Sequence, residues 1–398
     1  MSDPSSFDPT ASLPGSPDPW EAAPTPTARP GPPYHMTEMI DAEPALAGRI
    51  LGRLAGSGTS AAELAATIRT TIEAGEPVII TGCGTSEHGA LAVAEILREA
   101  ARAAGLADPA IHAAQAFELS LDPPSRGLVI GVTHDGGTPA TNSALEAARR
   151  TGRETAVITV TRRSPAGAVA DVVIETQELD QGWCHTVGYL SPLLAGAAVG
   201  AHLSGRTIDP DRVTTLIAAG SRDGEGAERI AAALAGAAHL VVIASGSDRP
   251  AGRELTLKVE EASWLPSAFR DLETFLHGHL PATGPSTGLI LVLADRDRGH
   301  ERVERARQAL AAARLVGIRS GAILSVEADA ALGAELTPAG RVVAPDGADL
   351  PAPVAALLAT ATPLQLVTER LARARETNPD LIRRDDPIYL AAAQAADG

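Results

Sequence analysis

Residues 78–86, VIITGCGTS, and residues 240–248, LVVIASGSD, read alike and decide the fold. Each opens on an aliphatic run too short for a helix, passes through a Gly/Ser turn and enters a helix-patterned segment. That succession is a strand, a tight turn and a covering helix. Working outward, the short runs 128–132, 156–160 and 172–174 follow the first stretch, and 289–294, 320–324 and 342–344 follow the second. Between them lie longer stretches rich in Ala, Leu, Glu and Arg, at 87–104, 138–151, 250–263, 300–314 and 353–374, which read as helices. Strands alternating with helices predict parallel sheets covered on both faces. The second strand starts a matched interval after the first in each half, from 78 to 128 and from 240 to 289, which predicts an internal duplication. The expectation is an α/β chain of two tandem doubly wound domains, 36–208 and 209–374, with a helical segment over 209–236 joining them. Residues 375–398 form a C-terminal tail.

The chain has 398 residues, of which 44% are hydrophobic and 21% charged, enough for two domains that each bury a core. Residues 1–35 are dense in Pro, Ser, Thr and Asp, which predicts a disordered tail. Ordered structure is expected from a helix whose N-cap would be Thr37. The polar, acidic start does not read as a secretory leader, so a cytoplasmic location is expected. The apolar runs 289–294 and 354–362 fall short of the roughly 20 residues of a membrane span, so no membrane partner is expected. The formal net charge of −16 argues against a nucleic-acid partner. Cys83 and Cys184 stand apart without ligand spacing, so neither a disulfide nor a metal site is expected. Lys258 is the only lysine among the 33 basic residues.

Ligands of open parallel sheets bind beyond the carboxyl ends of the strands, where backbone amides and helix N-termini face outward. Two segments fit. Cys83, Gly84, Thr85 and Ser86 follow the strand at 78–80, and their glycine permits close backbone approach while Thr85 and Ser86 supply hydroxyls. Thr133, His134, Asp135 and Thr138 follow the strand at 128–132 in the same way. One such turn is ordinary; two in one domain suggest a site.

These segments resemble the sugar isomerase (SIS) family, which includes the isomerase half of glucosamine-6-phosphate synthase and related sugar-phosphate isomerases, deaminases and deglycases. The resemblance runs from about 36 to 384. It implies flavodoxin-like αβα domains and a cofactor-independent reaction on a small sugar or sugar phosphate. In the family a CGTS-type turn and an S-x-S-G-x-T turn cradle the phosphate. Here the second serine is Asp135, whose carboxylate would repel one. LKVEEAS at 257–263 resembles the family's L-K-L-K-E-I-S helix, which implies that Glu261 is the proton shuttle; Lys258, three residues before it on the same helical face, would tune its pKa or bind the substrate. ETFLHGH at 273–279 resembles E-x-x-x-H-G-P, which implies that His277 assists ring opening and reaches the neighbouring site of a homodimer. WCHTVGY at 183–189 resembles the S-T-K-x-F/Y stretch, leaving Thr186 as a sugar contact and His185 and Tyr189 open between core and site. NPDLIRR at 378–384 resembles N-P-D-x-P-R, which implies that Arg383 and the C-terminal tail close over the substrate. The lysine that forms a Schiff base beyond that motif has no counterpart here, and neither has a glutamine-hydrolysing domain.

These expectations define an enzyme for aldose–ketose isomerisation of an open-chain sugar or amino sugar, or for the related deamination or deglycation, through an enediol or enamine. A non-catalytic sugar-binding regulatory module is the alternative. A nicotinamide-dependent dehydrogenase is excluded, because GCGTSE is not G-x-G-x-x-G.

Overall fold

The computed structural model describes residues 7–397. The first half builds a sheet from β1 (Val78–Gly82), β2 (Ile111–Gln115), β3 (Leu128–Val132), β4 (Glu154–Thr159) and β5 (Val172–Glu175). The second uses β6 (His239–Ala244), β7 (Ser267–Asp271), β8 (Thr287–Leu293), β9 (Arg319–Leu324) and β10 (Gly340–Val343). The orders are β2-β1-β3-β4-β5 and β10-β9-β8-β6-β7, and every ladder is parallel. Read from β7, the second order repeats the first, so the duplication expected from residues 78–86 and 240–248 extends to the topology. The chain reverses direction across each sheet between β1 and β3 and between β6 and β8, and a crevice opens at such a switch point.

Central strands read as unbroken aliphatic runs because both their faces are covered: β1, β3 and β8 are buried at every residue. The strands without a sequence signal are β2, IHAAQ, and β7, SAFRD, which lie at sheet edges and are only partly buried. One core runs through both halves, joining the inner faces of the two sheets through the helices Thr85–Ala103, Val187–Ser204, Arg249–Ser263 and Ala352–Ala374. Separate clusters fill the two outer faces.

Three expectations change. The helix His35–Leu54 begins before Thr37, with Tyr34 at the N-cap position, and Thr37 caps from inside by accepting the Tyr34 N–H at 3.2 Å. The helix Val187–Ser204 is apolar all round and long enough by length and composition to cross a membrane, but 83% of it is buried against the protein's own helices. Its hydropathy serves the core.

The third change concerns the tail. From Phe7 onward the segment expected to be disordered is laid on the first half as an extended strap. Leu13 is buried, and its N–H donates to Glu178 Oε2 at 2.9 Å. Leu179 donates its N–H to the Pro14 carbonyl at 2.8 Å, and Arg163 reaches the Ser16 and Pro17 carbonyls. Composition misleads here because the strap needs little core of its own: its backbone groups are satisfied by partners on the folded body.

Candidate functional site

The duplication supplies two equivalent turns at switch points, and their surroundings differ. After β6, Gly246 has φ 61, and a Cβ built there would lie 1.3 Å from the Arg302 guanidinium. Arg302 pairs with Asp295 at 2.8 Å, Asp295 also accepts the Ser247 N–H at 2.8 Å, and Asp248 accepts the N–H groups of Ala294 and Asp295. That turn is filled by the chain itself. After β1, Gly84 has φ 56, and a Cβ there would meet nothing closer than Leu257 at 3.9 Å. The open turn is therefore Cys83–Gly84–Thr85–Ser86, with Thr85 and Ser86 buried in the first turn of the helix Thr85–Ala103.

The helix Arg249–Ser263 packs against Thr85–Ala103 and presents Glu254, Lys258 and Glu261 along one face, as a spacing of four and three residues requires. Thr85 Oγ1 donates to Glu254 Oε1 at 3.2 Å, and the His88 ring Nδ1 lies 2.7 Å from Glu254 Oε2. The Lys258 ammonium is fully buried, 3.6 Å from Glu254, and hydrogen-bonds to Glu261. One cation thus serves two carboxylates. Burial works against the Lys258 charge, but Glu261 and Glu254 outweigh it and hold the ammonium well above the ordinary lysine range.

The two carboxylates diverge. Burial presses Glu254 upward, yet Lys258, His88 and Thr85 overcome it and leave the carboxyl below its usual value. For Glu261 burial prevails over the pull of Lys258, so its carboxyl sits above the usual range. Glu261 also keeps 21% of its side chain exposed, whereas Glu254 has none. A partly exposed carboxylate of raised proton affinity beside a fixed cation suits a general base; a sealed carboxylate of lowered affinity suits positioning.

The turn after β3 adjoins this group. Thr133 is buried and donates to Thr138 Oγ1 at 3.2 Å, while Asp135 accepts the Gly137 N–H at 2.9 Å. His134 Nε2 accepts the Asp180 N–H at 2.8 Å, which leaves its other nitrogen to carry the proton. The His134 and His185 rings stand 5.2 Å apart, and burial pushes both down to about 4, so both are neutral at pH 7. Asp180 gathers the N–H groups of Gly182, Thr186 and Gly188, and the buried Thr186 hydroxyl has no partner among the described residues. Cys184 lies beside Glu261, and burial keeps its thiol protonated. Cys83 is half-buried, with its sulfur 3.7 Å from the Thr141 hydroxyl, and burial raises its thiol too. Of the two residues left open by sequence, Tyr189 is fully buried within the hydrophobic core, and the His185 ring faces His134.

Arg383, in a left-handed conformation with φ 67, lays its guanidinium over Trp264 at 4.7 Å and Tyr389 at 3.9 Å. Trp264 caps the helix that carries Glu261. The C-terminal tail runs alongside: Thr377 donates to the Ala262 carbonyl, Arg384 covers Trp183, and Trp183 donates its N–H to the Asp380 carbonyl.

His277 is not brought to this group within the chain. It is 71% exposed on an irregular segment after edge strand β7 and pairs with Glu273 at 2.6 Å, which also binds Arg305. Sequence reasoning missed Glu254, His88 and Asp180. Only Glu254 had a signal, its helical register with Lys258 and Glu261. No cluster of metal-ligating residues occurs among the described residues. A cavity of about 430 Å³ lined by Ile96, Gly200 and Arg206 lies at the far end of the helix Thr85–Ala103, away from these groups.

No protein-family model matches this sequence, and no curated protein matches it. Solved structures do. The C-terminal domain of glucosamine-fructose-6-phosphate aminotransferase from Francisella tularensis superposes with a TM-score of 0.75 at 15% identity, covering 89% of this chain and 99% of that one. Tagatose-6-phosphate ketose/aldose isomerase from Escherichia coli gives 0.68 at 17% identity, covering 90% and 97%. Glucosamine-6-phosphate deaminase from Thermotoga maritima gives 0.60 at 15% identity, covering 87% and 96%. The fold is that of two sugar isomerase domains in tandem, as the sequence resemblance implied.

Proposed function

We propose that this chain is a cofactor-independent enzyme that moves a proton between adjacent carbons of an open-chain sugar or amino sugar. The observation that carries the reading is the buried Lys258 ammonium shared by a sealed Glu254 and a partly exposed Glu261. Structural neighbours named as a ketose/aldose isomerase and a deaminase of amino-sugar phosphates support the same class.

In this reading Glu261 takes the proton from the carbon beside the carbonyl and returns it to the former carbonyl carbon, through an enediol or, for an amino sugar, an enamine. Lys258 holds Glu261 in place and opposes the negative charge that develops on the substrate oxygen. Thr85, Ser86 and Thr186 offer hydroxyls to the sugar, and Arg383 borders it from the C-terminal tail. His277, outward-facing, would assist ring opening in the site of a second copy, so the working form is a homodimer. Isomerisation and deamination share this proton transfer; in deamination the imine left at C2 then adds water and releases ammonia.

Exchange of the substrate C2 proton with deuterated solvent, followed by NMR, tests the reading. The wild-type chain should exchange it, and Glu261→Gln should lose at least a hundredfold in rate while still binding sugar. Undiminished exchange in that variant would remove Glu261 from the role. Sugar binding without exchange in the wild type would favour the non-catalytic module.

A further inference from the structure

The backbone of the turn after β3 is taken up from within and covered from outside. From within, the Asp135 carboxylate already occupies the Gly137 N–H, the kind of group an incoming anion would need. Gly136, with φ 84, is wedged over Ser164, whose Oγ would lie 2.1 Å from a Cβ built there. Its carbonyl accepts from Ala166 N–H at 3.1 Å and Asn142 Nδ2 at 3.3 Å, so the turn cannot readily swing open. From outside, Trp20 of the strap donates its indole N–H to the Asp135 carbonyl at 3.1 Å. The indole edge covers Gly137, where a Cβ would come within 3.2 Å of two ring atoms. The strap is fixed on both sides of Trp20, by Arg163 at Ser16 and Pro17 and by Asp380 at Arg29.

We propose that Asp135 and Trp20 make this turn reject a phosphate and select a sugar whose corresponding end is a hydroxyl or an ammonium group. A carboxylate accepts hydrogen bonds from either group but repels a phosphate, and an indole face packs on the C–H surface of a sugar. The turn is continuous with the proton-transfer group: the ring of His134, the residue before Asp135, lies 5.2 Å from the His185 ring and tilted to it by 56°, and His185 is followed in the chain by Thr186 and preceded by Cys184 beside Glu261. The specificity therefore concerns the same ligand, and the inference rests on the sugar reading given above. It departs from the structural neighbours, whose named substrates are sugar 6-phosphates.

Calorimetric titration of the full chain with paired free and 6-phosphorylated hexosamines and ketohexoses, and with inorganic phosphate alone, tests this. The wild type should bind a free sugar at least tenfold more tightly than its phosphate and should take up no inorganic phosphate. Asp135→Ser should abolish that preference and acquire phosphate binding, and Trp20→Ala should shift it the same way. Should Trp20→Ala fail to fold, Trp20→Phe keeps an aromatic ring but loses the indole N–H and part of the ring that covers Gly137, and should loosen the preference in part. A wild-type preference for the phosphorylated sugar would overturn this inference and leave the sugar reading standing. Binding of neither form would overturn both. A preference for free sugar that survives every variant would remove Asp135 and Trp20 as its cause.

Discussion

The Asp380 carboxylate accepts the backbone N–H of His35 at 2.9 Å, joining the start of the first helix to the C-terminal tail across nearly the whole chain. Its second oxygen accepts the Arg29 N–H at 3.0 Å, and Asn378 returns a bond to the Arg29 carbonyl at 2.7 Å. Asp380 is almost fully buried, so its carboxylate depends on these N–H groups in place of water. Asp380→Ala should cost roughly 2–4 kcal/mol, the scale of two hydrogen bonds to a buried charged acceptor. It should also free the strap. Limited proteolysis is expected to cut the variant between residues 7 and 33 at protease levels the wild type resists; an unchanged cleavage pattern would show that the strap is held without Asp380.

Lys258 is the chain's only lysine and lies in its interior between two carboxylates. Removing a buried cation from such a group leaves negative charge uncompensated, at a cost of about 3–5 kcal/mol. Lys258→Met should therefore lower the denaturation midpoint strongly at pH 7. The loss should shrink as the pH falls and Glu254 and Glu261 take up protons. Lys258→Arg keeps the charge but not the volume, and should be milder. Equal losses at pH 5 and pH 8 would mean that packing, not charge, accounts for the residue.

Much of this was legible in the chain because it depends on local pattern. Residues 78–86 and 240–248 announced both turns, and 257–263 announced Lys258 and Glu261 in register. The edge strands β2 and β7 escaped because a strand buried on one side needs no aliphatic run. The strap escaped because its order comes from Glu178, Arg163 and Asp380, residues remote in sequence, and not from apolar content of its own. Nor could sequence tell the open turn at Gly84 from the filled one at Gly246. The difference is Arg302, which reaches the second turn only once the sheet has formed.

Glu43 carries the last prediction. It is fully buried on the helix His35–Leu54, accepts from the Thr362 hydroxyl at 2.9 Å and lies beside Gln365, which donates to the Thr186 carbonyl in the site. Burial pushes its carboxyl up to about 8 from an ordinary 4.5, so the folded protein holds a proton there at neutral pH. The unfolded chain gives up that proton once the pH passes its ordinary value. Over the interval between the two values the folded state binds more protons, so raising the pH costs stability until the folded group also ionises near pH 8. Glu43→Gln replaces the protonated acid with a neutral amide of the same shape and removes the dependence. Its melting temperature should exceed the wild type's by a margin that grows from pH 5 to pH 8 and then levels off. The other perturbed groups, Asp248 among them, are common to both proteins and cancel in the difference. A margin that stays constant with pH would mean that Glu43 is ionised in the folded protein, with its charge met by a partner other than Thr362 and Gln365.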